Sequence, residues 1–116
     1  MPYSVAGKNL MLDALDAIGL FASLHDDDPG DNGANEITGG SPAYARKSIT
    51  FNAAAGGTMD SSNTPEIDVP ATTVKYVGFW SLVTGGVFYG SADVTDEVFA
   101  SQGTYTITDA DLDLNA

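Results

Sequence analysis

Hydrophobic and polar positions alternate in two distinct rhythms along this chain. From Ser4 to Ile18 the apolar residues Met11, Ala14, Leu15 and Ile18 recur at helical spacing, and Leu10 and Leu12 widen the stripe. Ser4 is placed to cap the start, Asp13 and Asp16 fall on the other side, and Gly19 stands where a C-terminal cap belongs. The spacing predicts one amphipathic helix over about residues 4–18. Its apolar face must pack on something, either this chain's own sheet or a neighbouring subunit.

Beyond Gly19 the period shortens to that of strands. Leu20–His25 reads as a strand. Val74–Tyr89 holds the only tryptophan and four of the ten Phe and Tyr residues, as two apolar arms around Thr84-Gly85-Gly86. Consecutive glycines accept the positive φ angles of a tight hairpin turn. Both faces of the first arm are largely apolar, so it reads as a central strand covered on both sides, with Trp80 and its neighbours in the core rather than forming a ligand platform.

The remaining elements are shorter. Ala43–Phe51 is a strand candidate with Ala45, Lys47, Ile49 and Phe51 on one face. Asn52–Thr64 is a long connection or a weak edge strand. Glu66–Val69, stopped by Pro70, fits a short strand near an edge. Ser91–Ser101 is ambiguous between a strand and a helical turn, and Gly103–Thr108 closes the sheet. Roughly seven short strands after one helix predict a mainly β fold, a single-domain β-sandwich or jelly-roll-like arrangement. The expected division is helix 4–18, β-domain 20–108 and an acidic tail over 109–116 that is solvated or frayed.

Charge narrows the function. Sixteen Asp and Glu oppose Lys8, Arg46, Lys47 and Lys75, for a formal net charge of −12 over 116 residues. Such a field repels a phosphate backbone and an anionic membrane surface, so neither nucleic acid nor membrane is an expected partner. With 43% hydrophobic residues and a mean hydropathy near zero, the chain is too apolar for a disordered acidic tail. There is no cysteine, hence no disulfide framework and no thiolate metal site. The N-terminal stretch has no basic region followed by a long apolar run. The expectation is therefore no signal peptide, no membrane span, and a chain left in the cytoplasm unless something carries it out.

Candidate chemistry is sparse. His25, the only histidine, stands beside Asp26, Asp27 and Asp28 without a Gly-x-Ser-x-Gly elbow anywhere, and reads as a surface or strand-end residue. Asp26–Ser41 is an acidic, glycine-rich loop whose order fits no register of a calcium-binding EF loop. Asp109, Asp111 and Asp113 alternate, but Leu114 occupies the place where such a loop wants glycine. No phosphate loop, dinucleotide fingerprint or zinc spacing occurs. The expected inventory is no catalytic, cofactor-binding or metal residue, and no cofactor. Tyr3, Tyr44 and Tyr105 are the spare aromatics that a sugar- or receptor-binding surface would use.

Several strings also carry a resemblance. They are Ala6-Gly7-Lys8-Asn9, Leu12-Asp13-Ala14-Leu15, Ser23 to Gly30, Asn35 to Arg46, Thr50 to Gly57, Val77 to Gly90 and Phe99 to Tyr105. In this order they resemble a family of small virion proteins of tailed phages, mostly of actinobacteria, labelled tail fibre, minor tail or capsid decoration protein. The resemblance implies a non-enzymatic structural protein displayed on the particle surface and assembled in the host cytoplasm. Its expected partners are other virion proteins, of the capsid or the tail, and copies of itself. The alternative is a carbohydrate- or receptor-binding module of a tail fibre. Docking is expected through the helix face of Met11, Ala14, Leu15 and Ile18 or through the Arg46-Lys47 strand, with the acidic field turned outward.

Overall fold

A computed structural model of the chain describes residues 3–115, and its first element is helix α1 (Val5–Asp16). Ser4 caps it as its sequence suggests: in an extended conformation, its Oγ accepts the Gly7 N–H at 3.1 Å. The helix ends at Asp16, and Gly19 turns the chain away at φ 82°. The face it buries differs from the expected one. Leu12 is buried and Leu15 half-buried, whereas Met11, Ala14 and Ile18 are exposed.

The cause is polar. Asp13, expected on the polar side, accepts the Ala54 N–H at 2.8 Å and Asn9 accepts the Gly57 N–H at 2.9 Å, so polar side chains hold the helix to the domain. Those two bonds set its rotation, and the richest apolar stripe is turned outward.

Four strands make the main sheet, in the order β2 (Lys47–Ser48), β1 (Phe21–His25), β5 (Thr72–Trp80), β6 (Phe88–Phe99), all antiparallel. Phe21 lies opposite Trp80 and His25 opposite Tyr76. β5 is central, as its sequence predicts, and is buried from Val77 to Trp80, although Lys75 and Tyr76 remain partly open. The hairpin turn is longer than two residues: Ser81–Val87 links the strands, with Gly85 and Gly86 at φ 65° and 79°. The ambiguous Ser91–Ser101 stretch continues β6 as a strand through Phe99, with Phe88, Gly90, Ala92 and Val94 half-buried on its inner side.

Two short antiparallel ladders cover the other side of the core. β3 (Thr58–Asp60) pairs with β8 (Asp111–Asp113), and β4 (Glu66–Val69) pairs with β7 (Gly103–Thr106). One hydrophobic core joins them: Leu24, Val74, Val77 and Phe79 from the sheet meet Met59, Ile67, Val69, Ile107 and Leu112 from the ladders, with Leu12 closing one end. Phe51 packs edge-on against Phe79 at 5.6 Å between centroids. The fold is thus mainly β with antiparallel sheets and one helix.

Two expectations are corrected here, and for Asn52–Thr64 the weak edge strand is the alternative that holds. Residues 109–113 are not a frayed tail, because Ala110 and Leu112 point inward and β8 completes the ladder of β3. Asn52–Thr64 contains that strand, with Met59 at 1% exposure. Of Ala43–Phe51 only Lys47–Ser48 is a strand, followed by an isolated bridge from Phe51 to Ser61, since Arg46 leaves the pleat and turns inward.

Candidate functional site

Beneath the hairpin turn, a continuous polar network runs through the apolar interior. Trp80 Nε1 donates to Ser23 Oγ at 2.8 Å, and Ser23 Oγ lies 2.7 Å from His25 Nε2. His25 Nδ1 lies 2.8 Å from the Ala34 carbonyl, which can only accept. The proton therefore sits on Nδ1, leaving Nε2 to accept from the serine. Burial holds the imidazole below its ordinary pKa, partly offset by the Ala34 carbonyl, which agrees with a neutral ring.

Next to it lies a second set. The Arg46 guanidinium stacks on Trp80 at 3.8 Å from the ring centroid and donates to both Glu36 oxygens at 2.9 Å. Its remaining nitrogen donates to the carbonyls of Leu82 at 3.0 Å and Gly85 at 2.8 Å. Tyr44 donates to Glu36 at 2.6 Å and accepts the Leu24 N–H at 3.0 Å. Burial alone would raise the Glu36 pKa, but the hydrogen bonds from Arg46 and Tyr44 outweigh it and hold the carboxyl below its ordinary value. Burial, then the bond to Glu36, pushes the Tyr44 phenol well up.

Ser23 and His25 sit side by side as a nucleophile and base would, yet both have no exposed surface. The serine hydroxyl faces Trp80 and the core. What the arrangement does is mechanical: Arg46 fastens the Ser81–Val87 loop to the loop after β1. Of the two places expected for His25, the strand end holds, since it ends β1, and the surface is corrected, since it is wholly buried. Arg46 likewise cannot dock a partner, which leaves Lys47 as the exposed half of that pair. Among the spare aromatics, Tyr44 is spent in the network and Tyr105 is buried, while Tyr3 is exposed.

The Asp26–Asp31 loop uses carboxylates as turn caps. Asp27 accepts the Asp28 N–H at 2.8 Å and Asp28 accepts the Gly30 N–H at 2.9 Å. Among the described residues, no group of three or more His, Cys, Asp or Glu side chains has the placement to hold a metal ion.

Residues 13–115 match the family model described as Podophage GP4 fiber I protein gp80. The chain belongs to this family. No curated protein matches it. Membership makes it a phage fibre protein and hence a structural component of the virion.

On this fibre protein most of the exposed large apolar side chains gather in two places, with Val98 of β6 apart from both. One is the outward stripe of α1, with Leu10 at 72% and Met11 at 37% exposure beside Ala14, continued just past the helix end by Ile18 at 47%. The other is the hairpin loop, where Leu82, Val83 and Val87 stand in water with Tyr89 next to them. Beside that loop is an open pocket of about 250 Å³ lined by Glu36, Tyr44, Arg46, Val83 and Gly85 among others. No helix among the described residues is long and apolar enough to cross a membrane. Sequence reasoning found the helix stripe and assigned it to docking. It missed the hairpin loop, for which the run Leu82-Val83 beside a turn was the available signal.

Proposed function

We propose that residues 1–116 form one non-enzymatic structural domain of a phage fibre, displayed on the particle surface and assembled in the host cytoplasm. In this reading copies of the chain meet through the outward stripe of α1. The observation that carries it is the uncovered apolar surface of Leu10, Met11, Ala14 and Ile18 on a chain of formal net charge −12. Like-charged copies associate where carboxylates do not oppose each other, and this stripe carries none. Asp13, at its margin, is tied inward to Ala54.

Sedimentation of the purified chain at micromolar concentration tests this, beside an Ile18→Asp variant that places a charge in the stripe. Association of the parent chain and its loss in the variant are expected. A strictly monomeric parent that also fails to bind phage particles would refute the reading.

The rigid hairpin loop favours a second reading, a receptor- or sugar-binding module of the fibre, because Leu82, Val83, Val87 and Tyr89 are presented on a turn that Arg46 holds still. Particles lacking the chain separate the roles. A fibre part takes adsorption with it and leaves heat stability intact. A capsid decoration protein would instead take heat or salt resistance with it and leave adsorption intact, since binding only the assembled lattice stabilises that lattice by mass action.

A further inference from the structure

Three sheet edges end on the same groove. Among the described residues, β6 pairs with β5 on one side and with nothing on the other, β7 pairs only with β4, and β8 only with β3. Between them runs an open groove of about 800 Å³, walled by Ser91–Glu97 of β6 and by Tyr105–Asp109, Asp111 and Asp113. Among the described residues, no hydrogen bond reaches the outer edge of β6 over this stretch. Free backbone N–H and C=O groups on a strand edge are complementary to one kind of ligand, another extended chain.

We infer that this groove receives an extended, lysine- or arginine-bearing segment of a different protein, which pairs with the outer edge of β6 and bridges it to β7 and β8. The side chains decide the occupant. Asp93, Asp96, Glu97, Asp109, Asp111 and Asp113 all line the groove. Asp60 and Asp109 stand beside Asp111, and desolvation together with these two carboxylates pushes its pKa up to about 6, so negative charge here is crowded and unrelieved.

A second copy cannot supply the counter-charge. It has four basic residues against sixteen acidic ones; Arg46 is buried against Glu36, Lys8 is bonded to Asn115, and the two that remain, Lys47 and Lys75, are single charges on different strands rather than a basic segment. The carboxylates along this edge also discourage edge-to-edge pairing between two copies that are each strongly acidic. This surface is separate from the helix stripe, and the inference does not depend on how copies meet.

An end-blocked octapeptide alternating lysine and threonine is the probe, titrated into the full chain with calorimetry and amide NMR. Saturable binding is expected, with shifted and exchange-protected amides in Ser91–Glu97. Affinity should fall at least about tenfold in the Asp96→Asn/Asp111→Asn double variant, whose two positions are exposed and whose fold is checked by circular dichroism. A control peptide with proline at every threonine position keeps the charge but loses half its backbone donors. It should bind at least about tenfold more weakly. Equal binding by the proline peptide would reduce the groove to a diffuse cation sink and overturn the inference. So would no saturable binding, or concentration-dependent protection of β6 amides in the chain alone, which would seat a second copy there.

Discussion

Replacing Arg46 with methionine removes a charge from the interior while keeping much of its length. Three consequences follow from the contacts described above. Glu36, 21% exposed, keeps only Tyr44 as a donor; the Leu82 and Gly85 carbonyls lose their donor; and the Trp80 face loses its cation. Breaking a buried ion pair from one side costs about 3–5 kcal/mol, and the residual exposure of Glu36 places this case near the lower end, about 3 kcal/mol. For a domain of this size that corresponds to a melting temperature lower by about 12 °C. Urea unfolding followed by fluorescence reads it directly, because Trp80 is the only tryptophan and lies under the guanidinium. Hydrogen exchange should also show Ser81–Val87 opening ahead of the rest. In a double-mutant cycle with Glu36→Gln, the two losses should overlap by about 1 kcal/mol or more. A loss below about 1 kcal/mol for Arg46→Met, or strict additivity with Glu36→Gln, would refute the claim that this pair holds the loop.

Four further measurements bear on the same structure. His25 is held below its ordinary value near 6.5, so the unfolded chain takes up a proton that the folded chain refuses. Its contribution to stability is lost as pH falls through that value, and His25→Gln should flatten the stability profile there. Asp111 has the opposite sign: raised from an ordinary 3.8 to about 6, it favours the folded state at low pH and loses that effect as pH rises through about 6. Asp111→Asn should therefore raise the melting temperature at pH 7 and leave it nearly unchanged at pH 4. A methyl group at Gly78 would collide with Ser23 Oγ and His25 Nε2, so Gly78→Ala should lower stability by about 2 kcal/mol or more in denaturant titration, against the usual gain from replacing a strand glycine. Calorimetry with calcium should find no micromolar site in Asp26–Asp31, where Asp27 and Asp28 carboxylates cap turns.

Much of the fold was legible because its local signals agree with its tertiary needs. Ser4 caps the helix, Gly85 and Gly86 turn the hairpin, and β-branched and aromatic residues mark β5. The rotation of α1 was not legible, because the helix is apolar on more than one side. The bonds from Asn9 and Asp13 to Gly57 and Ala54 select the buried face from residues over forty positions away. The alternation Ala110, Leu112 was a real strand signal, masked by the aspartates between and by their place near the terminus. In the polar network, Ser23 and His25 stand two apart, a strand spacing that puts them on one face. Their partners Trp80 and Ala34, and the Glu36–Arg46 pair beside them, come from turns and registers that no local period encodes.

The order in which the chain leaves the ribosome gives the β3–β8 ladder a further meaning. Met59 and its strand, made midway, have only local turn bonds to Asn52 and Ala55 until residues 111–113 supply the ladder. The earliest element, α1, rests its Leu12 against this end of the core, and Lys8 reaches Asn115, whose own amide holds the Gly56 carbonyl at 2.7 Å. Such sequence-distant closures are slow and come late in folding. The rotation of α1 is set once residues 54–57 exist, whereas the tie from Lys8 to Asn115 forms only after β8 is in place. A chain cut before residue 111 keeps the bonds that turn the helix but leaves Met59 without Leu112 opposite it, so its apolar core is open at this end.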